Sequence, residues 1–283
     1  ALSSAASDVY KRQVIFLAVA VLLAGCRPDG KPADNQPSPA DSVSAETPAP
    51  AADTASAEPP ATADGLFDDF IYNFMRNARF QKERVRFPLY CSENGRGRTV
   101  EAGKWTFDAL YANSSLYAVT YAGENARGSE KREDLSRVVV EKISLKKDFV
   151  KQYVFEKERG KWMLMKLDSH ALARSDDEDF WHFFRDFAGN PAFQRAHIKN
   201  PFGFKTYDSD TYQEIDGVLD VEQWSDFRPE LPADELVSIN YDQRYADSPV
   251  RIVVLTSSSA GLSSTLVFER HRKSWRLTRL EDI

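Results

Sequence analysis

The chain has 283 residues, 42% of them hydrophobic and 12% aromatic, with 37 Lys and Arg against 43 Asp and Glu for a formal net charge of −6. That length and apolar content suffice for one or two packed domains, and the acidic balance provides no basic footprint for nucleic acid. With only two cysteines, a disulfide-stapled scaffold is excluded.

Ser3–Gln13 (SSAASDVYKRQ) back-translates codon by codon into a transposase adapter used in sequencing libraries, so residues 1–13 are set aside as an adapter scar. Residues 14–25 hold an uncharged apolar run, VIFLAVAVLLA, too short to span a bilayer and suited to a signal h-region. It runs into Leu23-Ala24-Gly25-Cys26, which resembles the lipobox of bacterial lipoproteins. Small residues there fit a signal peptidase, and the Cys26 thiol is the group that would carry the lipid. The expected partner is therefore a membrane, reached through an N-terminal lipid, and the expected location is the bacterial cell envelope, on the periplasmic face or the outer membrane.

Residues 26–64 follow as a tether rich in Pro, Ala, Ser and Thr, with eight prolines and no aromatic residue. Such a segment cannot bury enough apolar area to offset its backbone entropy, and disorder is expected. Asp41-Ser42-Val43 and Asp53-Thr54-Ala55 match a short acceptor pattern for O-glycosylation, at Ser42 and Thr54, that chance also produces in a Ser/Thr-rich tract. Lipidation of Cys26 would leave Cys91 alone, a small buried hydrophobe rather than a nucleophile.

Beyond the tether the chain repeats itself. Phe67–Pro88 aligns without a gap on Phe180–Pro201, and Val154–Asp168 aligns on Val267–Glu281, both at an offset of 113 residues. Of 37 aligned positions 14 are identical, against an expected ~2 at average composition. Two repeats are defined, 65–173 and 174–283, each expected to be a domain able to fold alone.

Phe67, Phe70, Ile71 and Phe74 recur at helical spacing, and Phe180, Phe183, Phe184 and Phe187 repeat the stripe. Asp64 is the expected N-cap of the first helix; Ser175 and Glu178 read as a capping box for the second, with Asp176, Asp177 and Asp179 as a solvated acidic first turn. Asn77 and Asn190 should close the long helices, and Pro88 and Pro201 should end short second ones. Each repeat then has a Trp, Trp105 or Trp224, before its strands. These are expected at 116–121, 137–146, 149–158 and 161–167, then at 235–244, 250–257, 262–270 and 274–280. Helices followed by an antiparallel sheet define an α+β fold.

A Phe-rich first helix, a short second helix and the closing hairpin VFEKERGKWMLMKL (154–167) resemble the nuclear transport factor 2-like superfamily. The F-Q-x-x-R-(V/I)-x-x-P element, with the lipobox and tether, is similar to uncharacterised bacterial lipoproteins carrying two such domains in tandem. The resemblance covers Leu66–Ile283 and implies, for each repeat, an N-terminal helix pair packed on a curved antiparallel sheet. The second repeat departs from it with His197 where the first has Arg84.

The same resemblance implies a pocket at the open end of each cone, where enzymes of the superfamily use a buried Asp, His or Tyr. Arg84 and Tyr90 in the first repeat, with His197 and Tyr207 in the second, are the polar candidates for its mouth. His182, between Asp179 and Asp186, falls on the polar face of its helix and reads as an exposed ion-pair array; His170 and His271 have no pocket to act on. The chain contains no G-x-G-x-x-G, Walker loop, H-E-x-x-H, C-x-x-C or G-x-S-x-G motif, so no catalytic residue, metal or cofactor is assigned. The expected role is a non-catalytic module binding a small ligand, a glycan or an envelope protein. The alternatives are a lyase, isomerase or hydrolase with one active lobe, which needs a cavity holding a buried carboxylate near a His or Tyr, and a structural envelope lipoprotein, which needs cones filled by Phe and Trp.

Overall fold

The phenylalanine stripes form as their spacing predicts. In the computed structural model, which describes residues 64–208, 210–246, 248–257 and 263–282, α1 spans Phe67–Arg76 and α2 spans Ala78–Glu83. Their counterparts are α3, Glu178–Gly189, and α4, Pro191–Ala196. Cys26, Ser42, Thr54, the signal segment and nearly all of the tether lie outside the described residues.

Phe67, Phe70, Phe74, Phe180, Phe184 and Phe187 are each 0% exposed, as the stripe requires. Asn77 and Asn190 close the long helices and also cap the short ones: Asn77 Oδ1 accepts from Phe80 N at 3.0 Å, and Asn190 Oδ1 from Phe193 N at 3.1 Å. The first-turn acids differ from expectation. Asp64 is not a cap but receives both Arg84 nitrogens at 2.7 and 2.8 Å and the Trp162 N–H at 2.9 Å. The Ser175–Glu178 box gives way to Asp177 as the N-cap residue, and Asp177 is buried rather than solvated, held by Arg251 at 2.6 and 2.7 Å.

Each repeat contributes six strands. The first has β1 Val85–Glu93, β2 Arg96–Val100, β3 Leu116–Tyr121, β4 Arg137–Ser144, β5 Phe149–Glu158 and β6 Lys161–Ala171. The second has β7 Ile198–Tyr207, β8 Glu214–Leu219, β9 Glu235–Asn240, β10 Val250–Ser257, β11 Ser263–His271 and β12 Ser274–Asp282. A four-residue helix, α5, Trp224–Phe227, precedes β9. Pro88 and Pro201 do not end helices. They lie inside β1 and β7, each after a cis peptide bond, where the parallel register with β6 and β12 shifts. A residue without an N–H suits a point where the ladder is already interrupted.

All twelve strands join one sheet, in the order β2-β1-β6-β5-β4-β9-β3-β10-β11-β12-β7-β8. Within each repeat the first, sixth, fifth and fourth strands are neighbours in the same order, but the third strand is exchanged. β4 pairs antiparallel with β9 of the second repeat, and β10 pairs antiparallel with β3 of the first. The exchanged strands meet in parallel at Ala118↔Ser238 and Val119↔Ile239, and Thr120 Oγ1 lies 2.9 Å from Ser238 Oγ. The expected boundary at 173/174 therefore separates two repeats by sequence but not two separately packed domains, and the described residues of both fall in one compact unit.

Strand alternation assigns the two faces. Val138 and Val140 of β4, Ile239 of β9, Val119 of β3 and Ile252 of β10 pack into one core with Phe67, Phe70 and Phe74. Ile143, Leu236, Ala118 and Val253, from the alternate positions of the same strands, pack into a second core with Phe180, Phe184 and Phe187. The helices of the two repeats thus cover opposite faces of the sheet. Strands covered on both sides carry continuous apolar runs such as Val138-Val139-Val140.

The same polar pair fastens the loops to the helix turn in each repeat. Gln81, 0% exposed, donates to the carbonyls of Phe74 and Asp108 at 2.9 and 2.7 Å and accepts from Trp105 Nε1 at 3.2 Å. Gln194 repeats the arrangement, donating to Phe187 O at 2.7 Å and accepting from Trp224 Nε1 at 2.9 Å. A buried amide with both ends satisfied holds backbone that would otherwise be costly to bury.

Strand exchange makes a direct prediction. A protease site inserted after Ala173, cleaved in native buffer, should leave the two halves co-eluting in gel filtration, because each half holds a strand of the other. Separation into two monomeric halves without denaturant would contradict the exchange.

Candidate functional site

The cones are full. Phe67, Phe70, Phe74, Phe155 and Trp162 close the first, with ring centroids 5.1 to 5.6 Å apart for Phe67–Trp162, Phe67–Phe155 and Phe70–Phe155. Phe180, Phe184, Phe187, Phe268 and Trp275 close the second. The expected pocket between helix and sheet is filled by the side chains that build the fold.

The four residues expected at a pocket mouth are not brought together, and none lines a cavity described below. Arg84 is bound to Asp64 and lies over the Phe80 ring at 4.8 Å; His197 stacks on the equivalent Phe193 at 3.8 Å with Nδ1 2.9 Å from Phe193 O. These counterparts share a seat against the second helix and pin it, by different chemistry. Tyr90 and Tyr207 are exposed, at 46% and 41%. His182 does not pair with Asp179 or Asp186; its Nε2 is 3.6 Å from Asp148 Oδ1 across the repeat boundary, and Asp179 binds Arg270 instead. His170 is buried in β6, and Cys91 is buried with its thiol pKa raised by burial.

Polar clusters do lie beside the first core: Tyr241 Oη donates to Asp68 Oδ1 at 2.6 Å, where burial raises the carboxyl pKa, and a second cluster gathers on Asp108. Asp108 accepts from Tyr153 Oη at 2.5 Å and from Lys151 Nζ at 3.2 Å, with Lys142 Nζ at 3.6 Å. Burial raises its carboxyl pKa, but the Tyr153 hydrogen bond and the two lysines outweigh this and hold it low. At the same offset the second repeat has Leu255, Ser264 and Leu266 in place of Lys142, Lys151 and Tyr153.

The space the cones lack appears at the seam between repeats. A cavity of about 550 Å³ lies over the second-core face of the central strands, between β4 and β5 of the first repeat, Ser175–Asp177, and the β9–β10 connection. The connection is fastened down by Tyr245, which donates to Thr120 O at 3.1 Å, and by Gln243, whose Oε1 accepts from Ala122 N at 2.8 Å. Asp177 and Arg251, 2% and 1% exposed, form a fully buried ion pair under its wall.

Glu141 forms the base of the cavity. It is 6% exposed, and its Oε1 accepts from Gln152 Nε2 at 2.7 Å. Burial is the main cause that pushes its pKa up to about 7; the Gln152 hydrogen bond opposes this, and the Asp177 and Asp176 charges reinforce it. A carboxyl group that changes charge near neutrality, inside a polar cavity, is the chemical centre of the site.

On the opposite face the equivalent connection makes an ion pair to a buried carboxylate. There Arg127, from the β3–β4 connection, donates to both oxygens of buried Glu281 at 2.9 and 3.0 Å. That connection has 15 residues, 122–136, against nine, 241–249, on the cavity side. The longer crossover delivers a side chain into its seat. A second, more open cavity of about 620 Å³ lies between Asn113–Leu116 and Glu230–Val237. Among the described residues no group of three or more His, Cys, Asp and Glu is placed to hold a metal ion, and no helix is long and apolar enough to cross a membrane.

Helix pairs packed on a curved sheet, mixed rather than wholly antiparallel as expected because β1–β6, β7–β12 and β3–β9 pair in parallel, form an NTF2-like protein. The chain belongs to the family described as a domain of unknown function, DUF4348, whose model matches residues 50–282. Its structure is similar to the crystal structure of an NTF2-like protein from Bacteroides fragilis, with a TM-score of 0.72 and 36% identity over 79% of this chain and 98% of that one. A 79% share is more than either repeat alone supplies. No match was found among curated proteins.

Because the unfolded chain loses the Glu141 proton above its ordinary value of 4.5 and the folded chain keeps it to about 7, the folded state binds more protons in that window. Stability should fall as pH rises through it, by about 3 kcal/mol in all. Glu141→Gln should remove that slope and raise stability at pH 8, as read by urea unfolding at pH 5 and pH 8. An unchanged slope would show that Glu141 is ionised in the folded protein throughout.

Proposed function

We propose that this protein is a lipid-anchored envelope lipoprotein, tethered through Cys26, whose globular part is a non-catalytic binding module with its ligand site at the seam between the repeats. The observation that carries the binding reading is the roughly 550 Å³ polar cavity over Glu141, built by residues of both repeats while both cones are packed solid. Volumes of this order suit a small molecule. Glu141 is bonded to the Gln152 amide rather than to a His or Tyr, which favours binding over acid–base catalysis. The anchoring reading rests on the Leu23-Ala24-Gly25-Cys26 tetrapeptide after an apolar run, with the polar, Pro-rich stretch following it. The same stretch would hold the module away from the membrane surface.

Cys26→Ala should move the protein from the membrane to the soluble fraction and abolish labelling by a palmitate analogue; unchanged fractionation would rule the anchor out. For the site, Ser175→Trp places a large side chain at the cavity wall. Compounds from a fragment panel that raise the melting temperature of the parent protein should leave this variant unshifted, and hits that stabilise both equally would locate binding elsewhere.

A further inference from the structure

Charge pairing at the seam leaves an imbalance at its base. Asp177 is neutralised by Arg251, with both side chains almost wholly buried, and Arg137 lies 3.8 Å from Asp242 near the rim. Among the described residues, Glu141 and Asp176 line the cavity with no basic partner within salt-bridge distance. Arg244, the remaining cation of the lining, is exposed at the outer edge.

The hydrogen-bonding inventory has the same sign. Gln152 Nε2 is committed to Glu141 Oε1, Tyr245 Oη to Thr120 O, and Asn240 Nδ2 to Gln243 O at 3.1 Å. The charged groups of the lining that lack a basic partner, Glu141 and Asp176, are acceptors. Glu141 is more than nine-tenths buried yet lines the cavity, with its Oε1 engaged by Gln152. A ligand head that only donates suits this surface: an ammonium offers three N–H donors, no acceptor and the compensating charge. A carboxylate would meet two like charges, and a hydroxyl would leave the charge uncompensated.

We propose that the seam cavity binds a primary ammonium group of a small organic cation, seated on Glu141 with Asp176 as the second anion. This rests on the seam being the ligand site. Elsewhere on the same sheet a buried carboxylate, Glu281, is met by the Arg127 guanidinium. The β9–β10 connection brings Arg244 to the lining, but among the described residues no basic side chain lies within salt-bridge distance of Glu141, and the ligand's ammonium takes that place.

The test is isothermal titration of the detergent-solubilised full chain at pH 8 with three isosteric probes: 1,4-diaminobutane, 1,4-butanediol and butanedioate. Diaminobutane alone should bind, Glu141→Gln should weaken it at least tenfold, Asp176→Asn severalfold, and Arg244→Gln should not weaken it. Equal or tighter binding of the diol or dicarboxylate, or diaminobutane affinity unchanged in Glu141→Gln, overturns the cation assignment. If panel fragments still discriminate the parent from Ser175→Trp, that failure leaves the seam site standing. If diaminobutane binds Ser175→Trp as it binds the parent, the seam site falls as well.

Discussion

The exchange of β3 and β9 between the repeats, with β9 laid on β4 and β3 on β10, is the constraint on which the rest of the molecule depends. Without it each repeat would end its sheet at β4 or β10 with an unpaired edge, and exposed edges invite uncontrolled pairing. With it, each repeat's sheet is completed by a strand of the other, and one twelve-stranded sheet carries two helix layers on opposite faces. Residues of the four central strands are therefore buried from both sides, and Ala118 and Val119 answer to different cores although they are adjacent in sequence.

The same exchange explains where empty space is found. A strand that crosses to the far repeat must be reached and left by connections that pass over the central sheet, one on each face. Their lengths are unequal, and their contents differ. On one face the connection brings Arg127 to Glu281; on the other it passes over Glu141 without filling the volume beneath. Aromatic side chains fill the cones because the helix stripes need them for cohesion, so an asymmetric connection, and not the cone, leaves room for a ligand.

Much of this was legible in the residues. The Phe stripes marked the long helices, the closing hairpins were framed within a few residues, and the shared offset exposed the duplication. Four strands were missed, β1, β2, β7 and β8, because Pro88 and Pro201 sit inside strands and the hairpin partners are charged or glycine-bearing rather than alternating. The exchange itself leaves no local signature, since β3 presents the same pattern to β10 as it would to β4. Glu141 had a signal that only the topology makes readable: a lone acid following Val138-Val139-Val140, in a strand whose apolar run does not alternate. Arg84 and His197 attracted attention as polar groups near aromatic rings, and the structure gives them a clamping role at helix ends.

Shared strands also bear on inheritance. A gene segment encoding residues 65–173 carries five strands and a helix pair that fit together, but its third strand is shaped for a neighbour encoded downstream. Neither half can be lost, copied or fused elsewhere without stranding part of the other. An insertion in one crossover changes the cavity on one face while leaving the opposite face closed. Loop length at a single position of the chain can therefore alter one face alone, and through their shared strands the two halves stand as one unit.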